Sequence, residues 1–160
     1  MGSEFRMVHR IEFAQTDMAG IMHFSNFFRL MEETEHAFFR SLGLSIMHRE
    51  GDRVIGWPRV HASCDYRRPL RFEDEVEVHL RVREKKEKAL TYDFLFRRVA
   101  DPTDEAAFGK LTVVCVEVNK AAGTMKSIAI PEFIASRVHA AVDELPEEQQ
   151  TPRGERRSRT

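Results

Sequence analysis

The chain is 160 residues long, 42% hydrophobic and 32% charged, which suits one globular domain and is short for two. Twenty-five Lys and Arg against 26 Asp and Glu leave a net charge of −1, which excludes a strongly basic nucleic-acid binder and an acidic disordered chain. No apolar run approaches the ~20 residues of a membrane span, no apolar signal stretch opens the chain, and two cysteines, Cys64 and Cys115, make no disulfide framework, so a cytoplasmic, reducing setting is expected.

Residues 1–6 read as an N-terminal extension or cloning scar and are set outside the fold. One domain is expected over 7–142. Residues 143–160 carry four acids, then four arginines with one glutamate, and no aliphatic or aromatic side chain after Leu145. That composition predicts a flexible charged tail.

Met7, His9, Ile11 and Phe13 alternate with Val8, Arg10 and Glu12, which predicts a first strand. A loop follows from Ala14 to Ser25. The spacing then predicts a long helix over Asn26–Leu42, with Ser25 as N-cap and Gly43 as the stop. Phe27, Met31, Thr34, Phe38 and Leu42 share one helix face, and Arg29, Glu33, His36 and Arg40 the opposite one. Between them runs a flank of Phe28, Glu32, Glu35 and Phe39. Two carboxylates between two phenylalanines imply that something covers this flank.

Strands are expected over Val54–Tyr66, with Pro58 marking an edge or bulge, and over Glu75–Arg83 and Leu90–Phe96, joined by a polar hairpin. Phe108–Val118 is apolar nearly throughout and predicts a central strand. A last strand near Met125–Ile128 and a helix from Pro131 to about Val142 close the domain. This order, a strand, a long helix and a run of antiparallel strands, defines an α+β class with the sheet wrapped around the helix.

The sequence holds no G-x-G-x-x-G, no phosphate-binding G-x-x-x-x-G-K-[ST] and no G-x-S-x-G nucleophile elbow. Its seven histidines and two cysteines do not have metal-ligand spacing. One segment remains, Thr16-Asp17-Met18-Ala19-Gly20-Ile21-Met22-His23-Phe24-Ser25-Asn26-Phe27. Asp17 is either a turn residue or a functional carboxylate. In the second case it sits beside a helix N-terminus, where unpaired N–H groups near Phe24 and Ser25 and the helix dipole offer an oxyanion site. An anionic base or nucleophile next to such a site is what acyl transfer requires.

These residues resemble the 4-hydroxybenzoyl-CoA thioesterase branch of the hotdog-fold acyl-CoA thioesterases. The likeness rests on Ile11-Glu12-Phe13, Asp17, Ala19-Gly20-Ile21 and Asn26, and on the passage Tyr66-Arg67-Arg68-Pro69-Leu70-Arg71-Phe72-Glu73-Asp74-Glu75-Val76. It covers roughly residues 7 to 140. It implies the hotdog fold and hydrolysis of an acyl-CoA thioester, with coenzyme A as part of the substrate and no separate cofactor or metal. Asp17 matches the family's catalytic aspartate, as nucleophile or general base. The N–H of Phe24 or Ser25 matches the group that polarises the thioester carbonyl. Glu32 matches a helix carboxylate that contacts the acyl group across a subunit boundary, or is an ordinary surface ion-pair partner.

Two departures stand out. Phe24 fills a slot where many members carry histidine, so His23 is either a displaced helper or a loop side chain. Met18 replaces a proline of some relatives, which implies a less rigid loop. Candidates for the CoA phosphates are Arg67, Arg68 and Arg71, then Lys85, Lys86 and Lys88, then Arg97 and Arg98, each group being otherwise the solvated face of a strand. Trp57 and Pro58 are either a wall of the acyl pocket or core. The resemblance also implies a side-by-side homodimer, paired into a tetramer, with no nucleic-acid partner. Two rival readings are a hydratase or dehydratase on the same fold, whose histidine-bearing motif is absent here, and a non-catalytic acyl-CoA-binding module.

Overall fold

The computed structural model describes residues 2–142. The expected β-hairpin is β5 (Glu75–Lys85) and β6 (Ala89–Arg98), closed by the Lys86 N–H donating to Ala89 O at 2.8 Å. Val76, Val78, Leu80 and Val82 of β5 and Leu90, Tyr92, Phe94 and Phe96 of β6 are fully buried. Alternate residues share one face of a strand, so these eight side chains form one apolar surface.

The helix α1 (Asn26–Ser41) covers that surface, burying Phe27, Leu30, Met31, Thr34, Glu35, Phe38 and Phe39. It packs against β1 (Glu4–Arg10), β4 (Arg59–Tyr66), β5 and β7 (Glu105–Val114). The sheet order is β1-β5-β6-β7-β4, antiparallel at every pairing. A Cβ on Gly109 of β7 would lie 2.1 Å from Met31 Cε, so glycine there lets helix and sheet approach closely. The helix stops where the sequence expects, before Gly43, with the Leu44 N–H reaching back to Phe39 O at 2.9 Å. Ser25 precedes it without a side-chain cap, because its hydroxyl is engaged by His23 instead.

Two expected strands are each divided in two. Val54–Tyr66 becomes β3 (Arg53–Gly56) and β4, and Phe108–Val118 falls to β7 and β8 (Val116–Asn119). β3 pairs with β8, while β4 pairs with β7. One long ribbon therefore bends from the main sheet into a second sheet, ordered β2 (His48–Glu50), β3, β8 and β9 (Thr124–Ser127). Pro58 has no N–H to give a ladder, and a register shift follows between Arg59 and His61. On the other strand, the Cys115 N–H turns aside to Lys88 O at 2.7 Å.

Both ends of the domain differ from expectation. Glu4, Phe5 and Arg6, set outside the fold on sequence grounds, are the first half of β1 and pair with Arg81, Leu80 and His79. Phe5 packs on Phe38 with ring centroids 6.4 Å apart, and Glu4 meets His79 Nε2 at 2.9 Å. Ser3 O and Gly2 O accept from the N–H groups of Val82 and His139. The likeness of residues 1–5 to a cloning scar hid this segment, and its pairing with β5 orders it. A protein beginning at Met7 is therefore expected to lose about 2–4 kcal/mol, from one partly buried phenylalanine and several hydrogen bonds worth about 1 kcal/mol each. Urea melts of the two lengths check this, and coincident midpoints would contradict it.

The closing helix is shorter than expected, α2 (Glu132–Ala135) rather than a run to Val142. Lys85 Nζ donates to Ala135 O at 2.5 Å and Val138 O at 2.9 Å, and Ala141 N–H pairs with Val82 O, so the chain is drawn along β5. The expected tail over 143–160 lies outside the described residues. Among those described, no helix is long and apolar enough to cross a membrane.

Candidate active site

The loop between β1 and α1 is closed on itself. Thr16 and Met22 form an antiparallel bridge, and the Asp17 N–H donates to Ile21 O at 2.9 Å. Gly20, with φ of 76°, makes the reversal that residues with a Cβ rarely adopt. The loop is stapled to the segment before β5 by the Met22 N–H to Leu70 O at 2.6 Å and by an Ile21–Arg71 bridge. Within this frame Asp17 Oδ1 accepts from the Ala19 N–H at 2.8 Å and, more distantly, from the Ile21 N–H at 3.5 Å. Oδ2 has no partner, and Asp17 makes no ion pair, among the described residues. One oxygen anchors the half-buried carboxylate and the other is presented.

The start of α1 is tied to the same loop. Gln15 O accepts from the His23 N–H at 2.9 Å and from Asn26 Nδ2 at 2.8 Å, so the helix N-terminus is held two residues from Asp17. Tyr66 at the end of β4 donates its hydroxyl to Phe24 O at 2.9 Å and packs edge-on against Phe27. Burial pushes the Tyr66 phenol up to about 12, so it stays a donor at neutral pH. The Phe24 N–H has no partner among the described residues. The Ser25 N–H instead approaches His23 Nδ1 at 3.3 Å, so of the two expected amides Phe24's is the open one.

His23 Nδ1 meets Ser25 Oγ at 2.7 Å and its ring lies against Phe24, centroids 4.5 Å apart. These contacts hold the ring within the loop, with Nε2 left without a partner among the described residues. Phe13, Met18, Phe24, Tyr66 and Phe72 stay exposed.

The Phe28–Glu32–Glu35–Phe39 flank is covered over Glu35 and Phe39, while Phe28 is half-buried and Glu32 stays half-exposed. Phe39 packs on the buried Trp57 at 5.7 Å, and Arg59 lies across the two carboxylates. Its Nη1 donates to Glu35 Oε1 at 3.1 Å and Trp57 O at 3.3 Å, while Nη2 is 2.6 Å from Glu35 Oε2 and 3.5 Å from Glu32 Oε1. Glu35 is sealed and Glu32 half-exposed. Burial, only partly offset by Arg59, raises the Glu35 carboxyl to about 7. Trp57 is thus part of the core, whereas Pro58 is exposed.

Most of the basic candidates are already matched. Arg67 pairs with Glu105, Arg68 with Asp104 at 2.8 Å, Arg97 with Glu105 at 3.7 Å and Arg98 with Asp104 at 3.2 Å. Lys85 caps the end of α2, and Lys86 lies 3.5 Å from Glu84. Arg71 and Lys88 have no side-chain ion pair among the described residues, and Arg71 adjoins the Asp17 loop through its bridge to Ile21. Among the described residues no group of three or more His, Cys, Asp or Glu is placed to hold a metal.

Three contributors carry no signal of their role in the sequence. Tyr66 fixes Phe24 from 42 positions away and Arg59 reaches Glu35 from 24 away, separations that only the fold closes. Asn26 reads as a helix-start residue, yet its amide serves as a strap to Gln15.

The loop, helix and sheet have counterparts in known proteins. A protein of Aquifex aeolicus, provisionally named an esterase, is 38% identical over 88 residues, covering 54% of this chain and 66% of that protein. The 1,4-dihydroxy-2-naphthoyl-CoA hydrolase of Synechococcus elongatus is 30% identical over 79 residues, covering 49% of this chain and 58% of that one. The chain therefore spans under two thirds of the length of these curated relatives. A solved gentisyl-coenzyme A thioesterase superposes with a TM-score of 0.69 at 25% identity, covering 84% of this chain and all of that one. The family model described as the thioesterase-like superfamily matches residues 11–138, which contain the loop, the helix and the main sheet from β4 to β7, and the chain belongs to that superfamily.

Proposed function

We propose that this protein hydrolyses an acyl-CoA thioester to the free acid and CoA, on a hotdog arrangement in which the sheet wraps around α1. The observation that supports this is that one loop, strapped to the start of α1 through Gln15, carries both Asp17 Oδ2 and the Phe24 N–H, neither with a partner among the described residues. The Phe24 amide, at the positive end of the helix dipole, would stabilise the oxyanion formed from the thioester carbonyl. Asp17 then acts in one of two ways. As nucleophile, its oxygen bonds to the carbonyl carbon, the C–S bond breaks and CoA leaves as thiolate; water then cleaves the anhydride, restoring the carboxylate and releasing the acid and the proton that the thiolate takes up. As general base, it takes a proton from water while the hydroxide adds to the carbonyl, and the proton passes to the departing sulfur. Either route consumes one water.

In this reading the half-exposed Glu32 meets the acyl group of a neighbouring subunit's substrate, and Arg71 and Lys88, the candidates without a side-chain ion pair among the described residues, meet the CoA phosphates. The reading includes a homodimer paired into a tetramer, a cytoplasmic setting and no resident metal or cofactor. The aromatic acyl-CoA hydrolases among its relatives favour an aromatic acyl group. A thiol-release assay over aromatic, short-chain and medium-chain CoA esters tests this. Turnover is expected with at least one aromatic ester, with kcat/KM of at least about 10⁴ M⁻¹s⁻¹. Binding of every ester without thiol release would leave a binding module instead.

A further inference from the structure

The Glu35–Arg59 pair is an unusual thing to keep in a core. Glu35 has no exposed surface, and taking a charge out of water costs more than one ion pair returns unless the geometry is excellent. Here it is not. Glu35 Oε2 is close to Arg59 Nη2 but accepts no aligned hydrogen bond, and the buried Trp57 Nε1 and Tyr92 hydroxyl nearby are also unpartnered among the described residues. An apolar pair of the same volume would serve packing at least as well. A buried charge pair in this state asks for an explanation, and the neighbouring Glu32 on the same guanidinium offers one.

Arg59 points to that role. Its Nη1 is fixed by Glu35 and the Trp57 carbonyl, which leaves Nη2 shared between the sealed Glu35 and the half-exposed Glu32. It comes from β4, an edge strand of the main sheet, at the register shift beside Pro58. Whatever share of the guanidinium Glu35 takes, Glu32 loses.

We infer that Glu35 and Arg59 are positioning residues that tune Glu32 for acyl-group selection, so that Glu32 accepts a hydrogen bond from a donor on the acyl group and repels an acyl group ending in a carboxylate. This rests on the reading of Glu32 as the carboxylate that meets the acyl group. When Glu35 is ionised, the three side chains sum to −1 and Arg59 is held inward, so Glu32 is free to accept. When Glu35 is neutral, the sum is zero and Arg59 turns to Glu32, competing with the ligand's donor. The change falls near neutral pH, because burial raises the Glu35 carboxyl to about 7. The groups that act on this cluster are Arg59 from β4, Glu32 and His36 from α1 and Tyr92 from β6.

The test uses the full chain and three non-hydrolysable thioethers, phenacyl-CoA, 4-hydroxyphenacyl-CoA and 4-carboxyphenacyl-CoA, with affinities measured by calorimetry at about pH 6 and about pH 7.5, either side of the Glu35 transition. The wild type is expected to prefer the hydroxyl ligand over phenacyl-CoA by about tenfold at the higher pH, the value of one good hydrogen bond, and by less at the lower. Glu35→Gln is expected to show the small preference at both pH values and to bind the carboxyl ligand several-fold more tightly than wild type at the higher pH. Glu32→Ala, at a half-exposed position, removes the acceptor and should lose the hydroxyl preference without loss of folding. A merely structural role for Glu35 would weaken all three ligands alike and produce no gain for the carboxyl ligand. That result, or a Glu35→Gln protein that keeps the pH-dependent preference, overturns the inference alone. Selective binding with no thiol release from the matching esters overturns the hydrolase reading alone. Failure of all three ligands to bind overturns both.

Discussion

Asp17→Asn is expected to fold normally and to lower kcat by about 10³-fold, which is about 4 kcal/mol of transition-state stabilisation. Asparagine keeps a carbonyl oxygen where Asp17 Oδ1 accepts from the Ala19 N–H, so the turn that shapes the loop survives. What it removes is the negative charge on the oxygen with no partner. An amide is neither a nucleophile for a thioester nor a base for water, so both routes open to Asp17 close together. Stopped-flow thiol release with the wild type and the variant, at matched oligomeric state, measures the loss. A variant within tenfold of wild type contradicts the assignment. An equal fall in melting temperature would instead trace the loss to the loop.

The second large effect concerns an atom rather than a side chain. Phe24→Pro deletes the open backbone N–H, whereas Phe24→Ala keeps it and deletes only an exposed ring. The proline protein is expected to lose about 10²–10³ in kcat, the range for removing one oxyanion donor. The alanine protein keeps the donor and should stay within about tenfold of wild type in kcat, with any change falling mainly on KM. Tyr66 helps interpret the pair, because its bond to Phe24 O holds the peptide on the far side of residue 24 in both variants. Equal losses in the two variants, measured on the same ester, would move the oxyanion site elsewhere.

The Asp17 loop was the most legible part of the chain, and the reason is locality. Asp17, Gly20 and the start of α1 lie within ten residues, so their turn chemistry and the helix terminus are written in one stretch of sequence. The β5–β6 hairpin was legible for a related reason: one face is buried by α1, which enforces strict alternation. Features that depend on partners were not legible. The bend at Trp57–Pro58 was marked by the proline, but which sheet each half joins depends on β7 and β8. The matching bend at Cys115 has no marker, since its N–H is diverted by Lys88 O, 27 positions earlier. Lys85 stands among the phosphate candidates because its charge is visible in the sequence, whereas the carbonyls of Ala135 and Val138 that it meets are brought to it only by the fold. In the same way the Phe-flanked carboxylates announced a cover without naming Arg59.

The most direct measurement is a crystal structure of the full chain with 4-hydroxyphenacyl-CoA. The ketone oxygen stands in for the thioester carbonyl oxygen. It is expected within about 3 Å of the Phe24 amide nitrogen, with the carbonyl carbon facing Asp17 Oδ2 at about 3–3.5 Å, the separation from which attack proceeds. A ligand whose carbonyl lies away from both groups, with Asp17 turned to solvent or paired to a cation, would contradict the account.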